Sequence, residues 1–278
     1  QREHIESHGS FEKYVAAKRA IVMALVNSPK KNKTLVANSD VAETVEFLSA
    51  KVPKAIGFGT SALKNISGDE RGVSFEYAGV HFSLPIAGTF NALNALSAIK
   101  LCEAIGISLA TSAAALAKLP TVRGRVEYID AGQDFIAIVD YAHTPDSLRA
   151  LYEAFPNRRK ICVLGNTGGG RDAWKRPLMG RIADESCEKV ILTNEDSYDE
   201  DPQAIVNDMA DGMSRAPEII MNRREAIRAA LSAARPGDAV LISGKGTDPF
   251  IMGAKGSKEP WSDATVVREE LEKLLGKV

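Results

Sequence analysis

A short polar run beginning at Asp140 contains the residue types best suited to chemistry. Asp140, Tyr141 and His143 supply a carboxylate, a phenol and an imidazole almost side by side. His143 is an obvious candidate for a general base, because imidazole titrates near neutral pH. Thr144 and Pro145 follow as a helix cap and a first helical residue. The three side chains are not needed for that cap, so the run predicts a binding or catalytic site, with an ordinary capped turn as the alternative.

Further polar groups follow other predicted strands in this half of the chain. They comprise the glycine run Gly168–Gly170 and the residues Glu195, Asp196, Gly244, Lys245 and Asp248. Glycines let a backbone approach a ligand closely, but this run has neither the P-loop nor the GxGxxG pattern. Each group alone could be a flexible loop, a solvated loop or a plain turn. Because parallel strands end at one edge of a sheet, where ligands bind, the groups together predict one site.

The first half of the chain holds a pair of amides and the linker a pair of arginines. Asn91 and Asn94 are three residues apart on a predicted helix and share a face. They could cap a neighbouring loop or read the edge of a base such as adenine, and the residues alone do not decide between these roles. Arg123 and Arg125 could contact phosphate or be solvated.

Near the start of the chain, His4 and His8 are spaced for a metal site if the segment is helical. Gly9 argues against a continuous helix there. By periodicity alone, Lys18 is a surface lysine whose stem lies along a helix.

Alternating elements must position the strand-end residues. Apolar strands near 135–139, 160–165, 189–193, 217–221 and 238–242 alternate with helices near 145–155, 174–186, 202–213, 223–235 and 263–276. This alternation predicts an α/β fold with a Rossmann-like, doubly wound, mostly parallel sheet.

The first half also alternates. The pattern predicts a helix over 11–26, parallel strands at 33–38 and 55–59 around a helix over 41–50, a hairpin of 73–77 with 80–84, and helices near 89–105 and 108–118. Residues 119–125 interrupt it, which predicts two domains at 1–122 and 123–278.

Composition narrows the class of protein. The chain has 278 residues, 45% of them hydrophobic and 26% charged, with a net charge of −1. These values are typical of a soluble globular protein and give no general attraction to nucleic acid or membranes. The three cysteines are odd in number and widely spaced, which predicts buried free thiols in the cytoplasm. A start at Gln1 within a charged stretch indicates a piece of something longer.

Taken together, the motifs resemble the Mur ligases over essentially the whole chain. The matching segments are Val-Asp-Tyr-Ala-His-Thr-Pro-Asp at 139–146, Gly-Lys-Gly at 244–246, Gly-Arg-Val-Glu at 124–127, Gly-Thr-Phe-Asn-Ala-Leu-Asn-Ala at 88–95, and Glu-His-Ile-Glu-Ser-His-Gly at 3–9 with Ala-Ala-Lys at 16–18. The chain is most similar to the family members that add the third amino acid to the peptidoglycan precursor. Segments 1–122 and 123–278 would then be part of the central ATP-binding domain and the C-terminal, amino-acid-binding domain.

The resemblance implies roles for individual residues. Lys18 would be carbamylated and, with His4, would bind Mg²⁺, since a carbamate offers oxygen ligands to a hard cation. ATP would contact Asn91, Asn94, Arg125, Asp140 and Tyr141. Lys18, Asp140 and His143 would form the catalytic set. The incoming amino acid would lie among Glu195, Asp196, Tyr198, Gly244, Lys245 and Asp248, with its α-amino end at Gly244 and Asp248.

The resemblance also implies cofactors and partners. The cofactors are ATP and Mg²⁺, and the partners are UDP-MurNAc-dipeptide, an amino acid and ATP, bound by a monomer in the cytoplasm without nucleic acid or membrane. The site would be shared by the two domains across 119–125 and would have to close.

Two departures from the family pattern qualify this expectation. No Gly-Lys-Ser/Thr occurs in the chain. Because a P-loop cradles the β- and γ-phosphates, the chain alone is expected not to turn over ATP. Second, Tyr198 stands where enzymes that use meso-diaminopimelate have the arginine of Asp-Asn-Pro-Arg. An acidic pocket without that arginine would favour L-lysine or another diamino acid, with meso-diaminopimelate still possible.

The remaining alternatives are a non-catalytic binding module on a Mur ligase scaffold, and a ligase of the cyanophycin or folylpolyglutamate type. The run from Asp140 to Asp146 favours the peptidoglycan enzyme over both ligases.

Overall fold

A computed structural model of the chain describes residues 8–277, and His4 lies outside them. The chain divides into two compact units between Pro120 and Thr121. Within residues 8–277, no helix is long and apolar enough to cross a membrane.

Among its described residues, from 8 onward, the first unit contains two small sheets and four α-helices. Its elements are α1 (Phe11–Asn27), β1 (Thr34–Asn38), α2 (Ala42–Val45), β2 (Lys54–Phe58), β3 (Lys64–Asp69), β4 (Gly72–Tyr77), β5 (Val80–Leu84), α3 (Phe90–Ala104) and α4 (Leu109–Leu116). Strands β1 and β2 pair in parallel and β4 and β5 form the hairpin, both as predicted. The predicted helix over 41–50 was wrong in part, because it is one α-helical turn followed by a 3₁₀ segment, Glu46–Ser49.

The second unit is the doubly wound sheet predicted from the alternation. Its elements are β6 (Glu127–Tyr128), β7 (Ile136–Asp140), α5 (Pro145–Glu153), β8 (Lys160–Leu164), α6 (Lys175–Ser186), β9 (Lys189–Leu192), α7 (Pro202–Ala210), β10 (Glu218–Ile219), α8 (Arg223–Ser232), β11 (Ala239–Ser243), β12 (Phe250–Met252), β13 (Lys258–Pro260) and α9 (Asp263–Leu274). The six-stranded sheet has the order β10-β9-β8-β11-β7-β6. Only the edge pair of β6 with β7 is antiparallel among its pairings.

Burial explains why the central strands read as continuous apolar runs. Strands β7, β8 and β11 are covered on both faces, as parallel strands between helices must be. The α5 helix begins as predicted, with a capping box between Thr144 and Ser147 and with Pro145 in the first turn.

The cysteine prediction was wrong for two of the three residues. Cys162 in β8 and Cys187 after α6 form a disulfide, while Cys102 is free. The pattern could not show this pairing, because 25 residues separate the two and the fold alone brings them together.

Candidate functional site

The carboxyl ends of β7, β8, β9 and β11 meet at one edge of the second unit's sheet. Asp140 ends β7 directly opposite Ser243 of β11, and the segments that begin at Gly165 and Thr193 continue from β8 and β9. The fold therefore gathers the polar groups that follow these four strands, as the sequence predicted.

The carboxylate of Asp140 accepts hydrogen bonds from main-chain amides of neighbouring segments. Its two carboxylate oxygens accept hydrogen bonds from the amides of Val126 and Ala142, each at 2.7 Å. Val126 has a φ of +45°, a region that β-branched residues rarely adopt. Burial raises the pKa of Asp140, and the two amides act in the opposite direction. Asp140 thus holds the segment around Val126 against the carboxyl end of β7.

The side chains around Tyr141 form a cationic and aromatic group. The guanidinium carbon of Arg125 lies 4.6 Å from the centre of the Tyr141 ring, and the His143 ring meets it edge-on at 4.7 Å. The Nδ1 atom of His143 lies 2.8 Å from the Tyr141 carbonyl oxygen. Burial raises the pKa of Tyr141, as does Asp248, while Arg125 and Arg171 lower it. The group is suited to anions or to the face of a base.

Lys245 and Asp196 form a buried ion pair. The ammonium of Lys245 donates to both Asp196 oxygens at 2.8 and 2.7 Å, and only 1% of the lysine side chain is exposed. Asp196 also accepts from the Met252 amide, so it ties the β12–β13 hairpin to the sheet edge. Both predicted amino-acid-binding residues are therefore engaged within the protein.

Glu195 lies in a slot lined by glycine. Thr167 donates to its Oε1 at 2.9 Å, whereas no described residue donates to its buried Oε2. A β-carbon on Gly244 would come within 2.0 Å of that oxygen, and one on Gly165 within 2.9 Å of the Glu195 Cβ. Burial raises the pKa of Glu195, and the charges of Arg223 and Lys245 partly offset this effect.

Arg223 supplies a second buried cation beneath the same strand ends. Its guanidinium donates to Asp263 at 2.8 and 2.7 Å and to the Ser243 carbonyl at 2.9 Å. The remaining nitrogen, Nη1, is buried and donates to no described residue. The carboxylates of Asp263, Glu195 and Asp196 raise the pKa of Arg223, so the group stays charged.

The glycine loop is held by acidic residues of the next loop. The Gly168 amide donates to the Asp196 carbonyl at 2.7 Å, and the Gly170 amide to Glu200 at 3.3 Å. The Tyr198 ring lies against Gly169, where a β-carbon would come within 2.7 Å of it. Arg176 pairs with Glu200 at 2.7 Å and fixes this arrangement.

These contacts revise the predicted acidic pocket. Asp196 is paired with Lys245, Asp199 accepts from the Lys255 amide, and Glu200 accepts from Arg176. Two carboxylates keep capacity for a ligand: Glu195, through its buried Oε2, and Asp248, whose side chain is 41% exposed although it lies 3.7 Å from the Lys245 ammonium. The pocket therefore has fewer unpaired carboxylates than the sequence predicts.

The predicted residues of the first unit are near its surface. Lys18 is exposed on α1, with its ammonium 5.4 Å from the centre of the Tyr14 ring. Asn91 donates to the Ala87 carbonyl at 2.8 Å, and Asn94 donates to Asn91 at 3.0 Å. Asn91 thus ties the start of its helix to the loop that precedes it.

Sequence reasoning missed Thr167, Arg176 and Arg223. Arg223 and Arg176 each carried one usable signal, because a cation in the first turn of a helix opposes the helix dipole and needs another reason to be there. Thr167 lacked such a signal, since its partner Glu195 lies 28 residues away in sequence.

Comparison with known proteins gives the family context. Residues 1–102 match the Mur ligase middle domain, and residues 124–246 match the Mur ligase glutamate ligase domain. UDP-N-acetylmuramoyl-L-alanyl-D-glutamate–2,6-diaminopimelate ligase from Listeria innocua is 34% identical over 99% of this chain and 59% of its own length. The chain thus spans less than two thirds of this relative.

Solved structures agree on the fold. The structure of a ligase of the same name covers 99% of this chain and 59% of its own length, with 27% identity and a TM-score of 0.58. MurF from Acinetobacter baumannii covers 100% of this chain and 57% of its own, with 18% identity and a TM-score of 0.70. At 18% identity the second likeness concerns the fold alone.

Proposed function

Because this chain belongs to the Mur ligase family, we propose that it is part of an ATP-dependent ligase that adds the third amino acid to UDP-MurNAc-L-Ala-D-Glu in peptidoglycan synthesis. The observation that carries the proposal is the gathering of Glu195, Gly244 and Asp248 at the sheet edge of a unit that matches the family's glutamate ligase domain. The names of the relatives support the same reaction.

The proposed chemistry is acyl activation. The carboxylate of the nucleotide-linked peptide takes the γ-phosphoryl group of ATP and becomes an acyl phosphate. The amine of the incoming amino acid then attacks the acyl carbon, and phosphate leaves through a tetrahedral intermediate. In the second unit, Glu195 and Asp248 would hold the amine, next to the main chain of Gly244.

The residues of the second unit fit an ATP-binding role in part. Arg125 is exposed and cationic, so it suits a phosphate, and Tyr141 offers an aromatic face next to it. Asp140 already accepts two amides, so its contact with ATP would use the remaining lone pairs of its oxygens. Asn94 of the first unit is exposed and would lie near the adenine.

Magnesium fits less well to the residues that the structure describes. Within 8–277, no three His, Cys, Asp or Glu side chains are grouped so that they could hold a metal. Bound Mg²⁺ would offset charge on the transferring phosphoryl group. Carbamylation of the exposed Lys18 would add oxygen ligands.

For the amino acid, we propose L-lysine or another diamino acid. Tyr198 supplies no positive charge for a distal carboxylate, and the exposed part of Asp248, which lies 3.7 Å from the Lys245 ammonium, would also face the ammonium of a ligand. The names of the relatives specify diaminopimelate. The proposal of L-lysine therefore depends on Tyr198, which stands in place of an arginine. The proposed reaction would take place in the cytoplasm, on a monomer and with small-molecule substrates.

The test is a phosphate-release assay of a longer protein that includes this chain. It would be supplied with ATP, UDP-MurNAc-L-Ala-D-Glu and either L-lysine or meso-diaminopimelate. We expect amino-acid-dependent phosphate release, faster with L-lysine. No release with either amino acid would refute the proposed reaction, while faster release with meso-diaminopimelate would refute only the choice of amino acid.

A further inference from the structure

Two oppositely charged groups beneath the strand ends each keep one buried atom without a partner among residues 8–277. These atoms are Oε2 of Glu195 and Nη1 of Arg223, in residues that are 3% and 2% exposed. The two groups interact electrostatically, since Arg223 lowers the pKa of Glu195 and Glu195 raises that of Arg223. A buried charged atom without a hydrogen bond is costly, so a role for it is expected.

The surroundings of Glu195 come from four segments. Thr167 lies on the loop after β8, Asp196 follows in the loop after β9, Arg223 begins α8, and Lys245 follows β11. Asp196 is neutralised by Lys245, and Asp263 is neutralised by Arg223. Glu195 is thus a carboxylate beside two cations that are already paired elsewhere.

The geometry points to a division of labour within the proposed reaction, and this inference rests on the proposed function. We propose that Glu195 accepts a proton from the ammonium group of the incoming amino acid. Arg223 is then a positioning residue, whose charge beside Glu195 favours the ionised form of that carboxylate. Both claims go beyond amino-acid binding, because they assign the step that makes the amine a nucleophile.

The proton balance of this step is simple. The ammonium gives one proton to the Glu195 carboxylate, which leaves a lone pair on the nitrogen. That pair forms the bond to the acyl carbon, and the bond from this carbon to the phosphate oxygen then breaks. The nitrogen's next proton leaves with the departing phosphate.

The main chain of Gly244 packs against the unpaired oxygen of Glu195. Main chain, and no side chain, covers Oε2 at this position, because a β-carbon on Gly244 would lie 2.0 Å from the oxygen. The φ of Gly244 is +109°, which glycine alone adopts readily. An amine would therefore approach Oε2 past the main chain at this position, with no side chain of residue 244 in the way.

The role of Arg223 is tested without any ligand, by carbon-13 NMR titration of the Glu195 side chain in the 278-residue chain. Glu195→Gln identifies its resonance. We expect Arg223→Met to raise the titration midpoint of Glu195, because a nearby cation is lost, and Arg223→Lys to restore it. Arg224→Met, which removes the next arginine on α8, should leave the midpoint unchanged.

A second variant keeps the test possible if Arg223→Met does not fold. Asp263→Asn removes an anion from the same buried group and should lower the midpoint of Glu195. If neither Arg223→Met nor Asp263→Asn moves that midpoint, the role of Arg223 is wrong.

The role of Glu195 is tested by calorimetric titration of the chain with L-lysine. Loss of a charged hydrogen bond predicts affinity about 10- to 100-fold weaker in Glu195→Gln. Affinity for the wild-type chain should increase as pH rises through the Glu195 midpoint. Glu185→Gln, at an exposed position on α6, should bind like the wild type.

The outcomes separate the two proposals. If the wild-type chain binds L-lysine and Glu195→Gln binds it equally well at every pH, Glu195 is not the acceptor. If the wild-type chain binds neither L-lysine nor meso-diaminopimelate, the proposed function fails, while the NMR titration still decides the role of Arg223.

Discussion

At the scale of single residues, burial decides what a polar side chain can do. The sequence places Glu195, Asp196 and Lys245 in one site, and the structure brings them together. The sequence does not show which of them are already paired, because Lys245 and Asp196 lie 49 residues apart along the chain. Of these three, Glu195 keeps an unused oxygen, and that oxygen depends on a glycine at 244.

Gly244→Ala should destabilise the protein for two reasons, a φ of +109° and a clash with Glu195. Gly237→Ala provides the matched control, because Gly237 has a φ of +86° and open space around it. Strain alone should cost about 1–2 kcal/mol in the control, and the clash should add about 1–3 kcal/mol at position 244. Urea unfolding measures both. Equal losses for the two variants would show that Glu195 does not crowd Gly244.

Asp140 illustrates a second residue-scale effect. Its oxygens accept the amides of Val126 and Ala142, so Asp140→Asn sets an NH₂ group against one amide donor. We expect a loss of about 1–3 kcal/mol in the free energy of unfolding, measured in urea. Asp146→Asn, at an exposed position of the same run, is the control and should change little. A stability equal to the wild type in Asp140→Asn would mean that these hydrogen bonds are not formed.

At the scale of elements, the prediction from sequence succeeded where the apolar pattern was long. Strands β7, β8, β9 and β11 and the helices between them fall within a few residues of their predicted places. Strand β6 and the β12–β13 hairpin were missed, because strands of two or three residues carry almost no periodicity. Strand β3 was missed because its sequence, Lys-Asn-Ile-Ser-Gly-Asp, does not alternate apolar and polar residues. The hairpin is positioned by Asp196, a contact remote in sequence.

Helices α8 and α9 are joined by Glu270, whose carboxylate accepts from Arg224, Arg228 and Lys273. These cations lower the pKa of Glu270 to about 2 from its ordinary 4.5. Its contribution to stability is therefore full above pH 4.5 and is lost as pH falls towards 2. Glu270→Gln should be less stable than wild type at pH 7, and urea unfolding should show the difference narrowing between pH 4.5 and 2. Glu269→Gln, which removes an exposed partner of Arg224, should show a smaller difference. A difference for Glu270→Gln that does not change with pH would contradict this assignment.

The disulfide between Cys162 and Cys187 closes the segment that carries the glycine loop and α6. Closing a loop of this length restricts the unfolded chain, which predicts that the Cys162→Ala, Cys187→Ala double variant loses about 3–4 kcal/mol in the free energy of unfolding. Urea unfolding without reductant measures this loss, and reductant should lower the free energy of unfolding of the wild type but not that of the double variant. Cys102→Ala should remain sensitive to reductant. If reductant leaves the wild type unchanged, the predicted free thiols would be correct after all.

At the scale of the whole molecule, the motifs indicated the family, but they did not show which charged side chains of the site pair with one another. The motifs at 88–95, 139–146 and 244–246 indicate the family because their types and order are specific. Which charges remain free follows from packing between distant segments, as with Arg223 and Asp263, 40 residues apart. The choice of amino acid is still a prediction, and it depends on Tyr198.

We propose that the strand-end site of the second unit takes a diamino acid without binding a distal carboxylate. Calorimetric titration of the 278-residue chain with L-lysine and with meso-diaminopimelate tests this proposal, with Tyr198→Arg as the comparison. We expect tighter binding of L-lysine by the wild-type chain and a shift towards meso-diaminopimelate in Tyr198→Arg, because an arginine can bind the added carboxylate. Tighter binding of meso-diaminopimelate by the wild-type chain, or no binding of either amino acid, would show that the site does not select a diamino acid in this way.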